Sequence, residues 1–402
     1  MRSMRPIGLR WPWPAMAAAG RWKRLALVLM ILAVFRPMPG MAEAPIKIGV
    51  SLGLTGRFAP MAEALRKGFA LWEQDVNRAG GISGRPVRLI VDDDHGDPDR
   101  AVFIYKRLVN QEKVDFLFAP YSSLITLAVL PIAEQHDMPM LIAGAAADTL
   151  WEQGFRHAVG VYTPVSKFMI GFFELLVLND LARVAIVHAD DPFSEDLAES
   201  AEKWSRRFGL TVTGVEGFSK GRRDLSLLAL KAKAKNPDAL IVCGHMGEAV
   251  HMVEALQRIG WRPRALYASI GPAIDDFYER CGPAAEHVFA TSLWEPRANY
   301  PGANDFNRRF IETYGEVPGY HAGLAYAAGQ VLAKAVVEAG TIDRRKVRDA
   351  LFGMDTMTII GRFGVDRNGK QVRQHTFIIQ WQKGRKELVW PDAIKTAEAI
   401  FP

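Results

Sequence analysis

Residues 113–147 constrain the fold more than any other stretch of this chain. A short apolar run, 114–119 (VDFLFA), has the length and composition of a buried strand rather than a helix. Pro120 and Tyr121 end it, and Ser122 and Ser123 then open an apolar, helix-like segment. Serine before such a run is a favoured N-cap. A second buried run, 138–142, stops in the small residues 143–147. The order is strand, polar elbow, helix, then a strand ending in a loop that permits close approach. Such elbows leave hydroxyls and unpaired backbone N–H groups at the carboxyl edge of a sheet, where α/β proteins take up ligands.

The same rhythm surrounds this stretch. Ile46, Ile48, Val50 and Leu52 alternate with Lys47, Gly49 and Ser51, the pattern of a first strand. After a turn at 54–60, Leu65, Phe69, Trp72 and Val76 mark one face of a helix, which Gly80, Gly81 and Gly84 end. Residues 87–91 read as a second strand. Ala101, Ile104, Tyr105 and Leu108 mark the next helix. The series then restarts, with strands expected at 184–188, 211–218, 239–243, 265–268 and 288–290. A polar loop is expected at 190–195, and helices between the strands, 248–259 among them. Strands alternating with helices imply parallel βαβ units, and two such series imply two similar α/β lobes. Two helices without intervening strands, 305–314 and 322–338, and a β-like tail at 363–365 and 376–381 complete the expectation.

Charge narrows the function. The net charge of +6 is concentrated at the start, where residues 1–44 hold seven of the 50 basic residues and one of the 44 acidic ones. The remaining 358 residues are balanced, so a nucleic-acid binder's electrostatic footprint is missing. Arg21, Lys23 and Arg24 precede an apolar run, 25–35, followed by Ala42-Glu43-Ala44, which is the secretory signal pattern. That run is shorter than the roughly 20 apolar residues that span a bilayer. We therefore expect a cleaved signal peptide at 1–44 and a free periplasmic protein, the alternative being an uncleaved anchor. Cys243 and Cys281 are the chain's two cysteines. A single bridge is conceivable, but two buried free thiols are the favoured reading.

Other chemistries find little support. The acidic run 92–99 lacks the EF-hand positions for glycine and glutamate, so these acids read as strand-end caps of a turn. His245 and His251 are not at the i, i+4 spacing of two metal ligands on one helical face. The glycines near 49–56 form neither a dinucleotide fingerprint nor a Walker loop, and no G-x-S-x-G elbow is present. No metal, no cofactor and no catalytic residue is expected.

Taken in order, Leu54-Thr55-Gly56, the 77–85 segment NRAGGISGR, Asp93-Asp94 with Asp97-Pro98, Ser122-Ser123 and Tyr326-Ala327-Ala328 form an ordered set. On these residues the chain resembles the type I periplasmic substrate-binding proteins of ABC importers, in the leucine/isoleucine/valine-binding branch, over essentially all of 45–402. The resemblance implies two Rossmann-like lobes joined by three crossings near 158–164, 290–295 and 373–377. Lobe 1 would be 45–162 with 295–372, and lobe 2 would be 163–294 with 373–402. It implies a monomer that takes an amino acid or related small carboxylate between its lobes and delivers it to a permease in the inner membrane. A sensor subunit for a membrane receptor is the other partner reading.

By the same resemblance Ser123 is the carboxylate-binding serine, with Ser122, Gly144, Ala145 and Ala146 beside it. Plain N-capping is the competing role for either serine. A carboxylate at a helix N-terminus gains from N–H donors and a dipole worth about 0.3–1 kcal/mol. The chain also departs from the amino-acid binders. Ala146 stands where they carry Thr, Phe193 where they carry a ligand-facing Tyr, and His245 or Met246 at another tyrosine position. Gly96 and Ser122 stand where they carry a cysteine pair. Ile270 replaces the acid that pairs the ligand's ammonium, and an unpaired buried ammonium is costly. Glu248 could substitute, although a solvated acid at a helix start is the favoured reading of it. Phe58, Met61, Phe193, Met246 and Tyr320 would wall a hydrophobic or aromatic carboxylate.

Overall fold

The structure is a computed structural model and describes residues 43–402. The basic and apolar parts of the leader lie outside the described residues. The first sheet holds β1 (Ile46–Leu52), β2 (Val87–Asp93), β3 (Phe116–Phe118), β4 (Met140–Ile142) and β5 (Ala158–Gly160), in the order β2-β1-β3-β4-β5. Every pairing in it is parallel. β1 runs over the residues its alternation predicts, yet Gly49 and Ser51 are buried as fully as Ile48 and Val50. A central parallel strand is covered on both faces, which erases the polar side that alternation suggests.

Helices α1 (Ala59–Arg78), α2 (Pro98–Asn110) and α3 (Ser123–Gln135) connect these strands, and the short α4 (Thr149–Glu152) follows β4. The start of α2 explains the acidic run. Asp97 caps the helix by accepting from the Arg100 N–H at 2.7 Å, ahead of Pro98 in the first turn. Asp94 accepts from the Ser51 hydroxyl at 2.6 Å and from the Gly96 N–H. These acids are consumed by the turn.

The chain then passes to a second sheet. After α5 (Ile170–Leu178) come β6 (Arg183–Ala189), α6 (Pro192–Arg207), β7 (Thr211–Phe218), α7 (Ser226–Ala234), β8 (Ala239–Cys243), α8 (Met246–Arg258), β9 (Ala265–Tyr267), α9 (Asp276–Cys281) and β10 (Val288–Ser292). β7 and β8 keep their expected bounds. The expected polar loop at 190–195 is corrected: Pro192 already lies inside α6, and Asp191 is its buried N-cap. After β10 the chain returns to the first lobe as α10 (Ala303–Tyr314), α11 (Tyr320–Ala339) and α12 (Arg344–Gly353). α12 was not expected, because its apolar residues are few and its polar face dominates. α11 packs on α1 so closely that a Cβ at Gly68 would lie 2.2 Å from the Ala322 carbonyl oxygen, and one at Gly329 would lie 2.0 Å from the Trp72 ring. The small residues of α11 make this approach possible.

A two-stranded ribbon, β11 (Thr356–Thr358) and β12 (Gly361–Phe363), precedes β13 (Phe377–Gln382) and β14 (Arg385–Trp390). The last two extend the second sheet antiparallel to β10, giving the order β14-β13-β10-β9-β8-β6-β7. The chain thus passes between the sheets three times: after β5, after β10 and before β13. Both cysteines are free, Cys243 buried and Cys281 half-buried, which corrects the expectation that both are buried. Among the described residues no helix is long and apolar enough to cross a membrane.

Candidate functional site

The carboxyl ends of β3 and β4 place the elbow and the small-residue loop side by side. α3 begins at Ser123, so its first-turn N–H groups have no partners within the helix. Ser122 occupies the N-cap position in extended backbone, but its side chain makes no capping bond. Ser123 does not cap either. Its hydroxyl oxygen accepts from the backbone N–H groups of Ala146 (3.2 Å) and Ala147 (3.1 Å), tying the loop after β4 to the head of α3. The Ser123 O–H remains available as a donor.

Opposite this wall stand residues of the second lobe. Tyr121, Ser122, Ser123, Gly144, Ala145, Ala146 and Tyr162 from the first lobe and Phe193, His245 and Ile270 from the second line one cavity with about 190 Å³ of empty space. Its freely accessible part has room for about one water, so a ligand enters only when the walls part. Eight of the twelve residues expected from the sequence meet here. Phe58, Met61 and Met246 line a wide outer vestibule that shares His245 with the inner cavity. Tyr320 is set apart from the cavity wall, which corrects its expected place. It is buried behind Tyr162, with ring centroids 6.4 Å apart, and borders a separate hollow near Trp294.

The second wall carries a buried polar chain that sequence reasoning missed. Tyr121 Oη lies 3.2 Å from His245 Nδ1 across the cleft. His245 Nε2 lies 3.4 Å from Asp191 Oδ1, and Lys220 Nζ lies 2.9 Å from Asp191 Oδ2. Burial alone would raise the Asp191 carboxyl, but His245 and Lys220 outweigh it and hold the group well below the usual carboxylate range. Phe193 stacks obliquely on His245 at 4.7 Å, and Phe58 approaches it from the first lobe at 5.7 Å. Behind Tyr121, burial and the neighbouring His245 push the His321 imidazole down to about 3.

Glu248 is also corrected. It is buried rather than solvated, and its Oε2 accepts from the His245 N–H at 3.0 Å in a reciprocal cap of α8. The local signal for Asp191 was present: Asp-Pro followed by an acid in the first turn marks a helix start. Nothing local announces its pairing with Lys220, which comes from the loop after β7. A second cross-lobe tie joins α4 to α6, where Asp196 accepts from the Thr149 hydroxyl and N–H at 2.8–2.9 Å.

Two α/β lobes enclose a small cavity at a helix N-terminus, an arrangement suited to holding a small solute. The chain belongs to the periplasmic binding protein family, whose model matches residues 45–386. Among relatives, it is 24% identical over 395 residues to the Leu/Ile/Val-binding protein homolog 7 of Brucella abortus, covering 94% of this chain and 99% of that one. Its fold is similar to that of the leucine-binding protein LivK of Thermotoga maritima (TM-score 0.79, 23% identity, 85% of this chain and 97% of the other). It is similar too to an ABC-transporter solute-binding protein of Rhodopseudomonas palustris in complex with benzoate (TM-score 0.76, 19% identity, 89% and 99%).

Proposed function

We infer that this chain is the periplasmic receptor of an ABC importer, exported by its leader as a monomer. It closes on a small carboxylate with an apolar or aromatic body and no α-ammonium. The carboxylate rests at the head of α3, among the N–H groups of the first turn, the Ser123 O–H and the backbone of 144–146. Tyr121, Tyr162, Phe193 and Ile270 surround the rest.

One observation carries the choice of ligand. Among the described residues no acid lines the inner cavity, and the two acids that touch its His245 are both taken: Asp191 by Lys220, His245 and Ser194, and Glu248 by the cap of α8. Ile270 offers no charge. A buried ammonium would find no free carboxylate, and leaving it unpaired costs several kcal/mol, on the order of the whole gain from a small ligand. The benzoate ligand of the R. palustris protein supports this reading. The names of the leucine-binding relatives favour a second one, a branched-chain amino acid.

Differential thermal unfolding of residues 45–402 against benzoate, hydroxybenzoates, 4-methylpentanoate and leucine separates the two. A ligand at a hundredfold excess over its Kd stabilises by about 2.7 kcal/mol, which is easily read as a shift in midpoint. A shift with aromatic or aliphatic acids and none with leucine supports the proposal. A shift with leucine alone overturns it.

A further inference from the structure

We propose that Lys220 is the residue that shuts α-amino acids out of this cleft, because its own ammonium occupies the carboxylate on which a ligand's ammonium would rest. The inference deepens the carboxylate-receptor reading above and rests on it.

Three features of the pair carry the argument. First, Asp191 is 4% exposed and touches His245, which borders both the inner cavity and the vestibule. Its partners Lys220 and His245 both line the vestibule, so Asp191 lies directly behind that surface and would face it with Lys220 removed. Second, it is not free. Lys220 Nζ sits 2.9 Å from Oδ2, and the lysine side chain is only 12% exposed. The Ser194 hydroxyl donates to the same oxygen at 2.8 Å, completing its coordination. Third, the lysine is held in place from both lobes. Its backbone N–H donates to Asp190, fixing the loop after β7. Its ammonium also lies 5.8 Å from the centroid of the Phe58 ring, which belongs to the first lobe. Closure thus brings an aromatic face onto a cation already seated on its acid.

The remaining acids of the vestibule do not change this balance. Asp224 and Glu254 are exposed, and Asp224 is paired with Arg258 at 3.2 Å. An incoming α-amino acid meets a neutral Asp191–Lys220 pair, so its ammonium finds no free carboxylate there. A carboxylate lacking that ammonium meets no such obstacle.

The test uses ligand pairs that differ only in the amine: 3-phenylpropanoate against phenylalanine, and 4-methylpentanoate against leucine. Calorimetric titration gives the ratio of Kd values within each pair. The wild type should favour the des-amino acid by about a hundredfold or more. Lys220→Met uncovers Asp191 and should shrink that ratio at least about tenfold. The double variant Lys220→Met, Asp191→Asn removes both charges, keeps a good N-cap, and should restore discrimination. Replacing a buried pair by uncharged groups is tolerated, so the double variant also reports on folding should the single one unfold. If the wild type discriminates but neither variant moves the ratio, Lys220 is not the gate and the carboxylate-receptor reading stands. A double variant that loses discrimination likewise removes Lys220 from the role. A wild type that binds neither acid, or binds both members of a pair equally, overturns the reading and the inference together.

Discussion

The two walls of the cleft are built differently. The first-lobe wall sets Tyr121 and Tyr162 beside an anion-facing patch of backbone and small side chains: the head of α3, Gly144, Ala145 and Ala146, tied together by one serine hydroxyl. The second-lobe wall is made of large side chains, Phe193, His245 and Ile270, backed by a buried ion pair. Backbone N–H groups at a helix start recognise any anion of the right size, whereas side chains from separate loops recognise one shape and charge. On the proposed function the first wall is therefore the generic half of the site and the second its selective half.

If that contrast holds, damage to the second wall should be the more costly. Asp191→Ala strands a nearly buried lysine and uncaps α6, and should destabilise the protein by about 3–5 kcal/mol in urea unfolding. A loss below about 1 kcal/mol would mean that the pair is solvated and the second wall soft. Next comes Ser123→Ala, which leaves the Ala146 and Ala147 N–H groups without their acceptor. We expect about 2–3 kcal/mol lower stability and at least about tenfold weaker binding of a confirmed carboxylate. Unchanged affinity would move the carboxylate away from α3.

Acid should act on the two walls at different pH. His321, behind the first wall, stays neutral when folded down to about 3, whereas its ordinary value is 6.5. The unfolded chain takes up the proton first, so stability is full above about 6.5 and falls as pH drops toward 3. The slope approaches about 1.4 kcal/mol per pH unit, which integrates to about 1.6 kcal/mol between pH 6.5 and 5. Asp191 is lowered in the folded state, so its contribution is intact above the ordinary carboxylate range and disappears only in stronger acid. His321→Phe should flatten the slope between pH 6.5 and 5. An unchanged slope would assign it to other groups. The smallest effect is expected at Ser122→Ala. Its side chain makes no cap, so stability should change by less than about 0.5 kcal/mol, in contrast to its neighbour Ser123.

The sequence revealed the first wall better than the second. Residues 113–147 announced a strand, an elbow, a helix and a small-residue loop because each has a local signature: an apolar run, serines before a long apolar segment, consecutive alanines. All five polar-elbow and loop residues expected there line the cavity. The strands β1, β7 and β8 were legible to the residue for the same reason. The missed features share the opposite property. The role of Asp191 depends on Lys220 and His245, which reach it from other connections of the second sheet, and Tyr121 matters because a histidine faces it from the other lobe. Glu248 looked like an ordinary acid at a helix start until burial turned it into a cap. α12 escaped because only Val347 and Leu351 of its residues are buried, too few apolar positions to stand out in a mostly polar stretch.

By itself the sequence determined an exported-looking chain of two α/β lobes with an anion-competent elbow, because periodicity, caps and breakers act between residues close in the chain. Only the tertiary structure decided which charges are spent and which are free, because an ion pair buried between distant segments leaves no pattern along the sequence. On the proposal above, that distinction between a paired and an unpaired carboxylate is what selects the ligand.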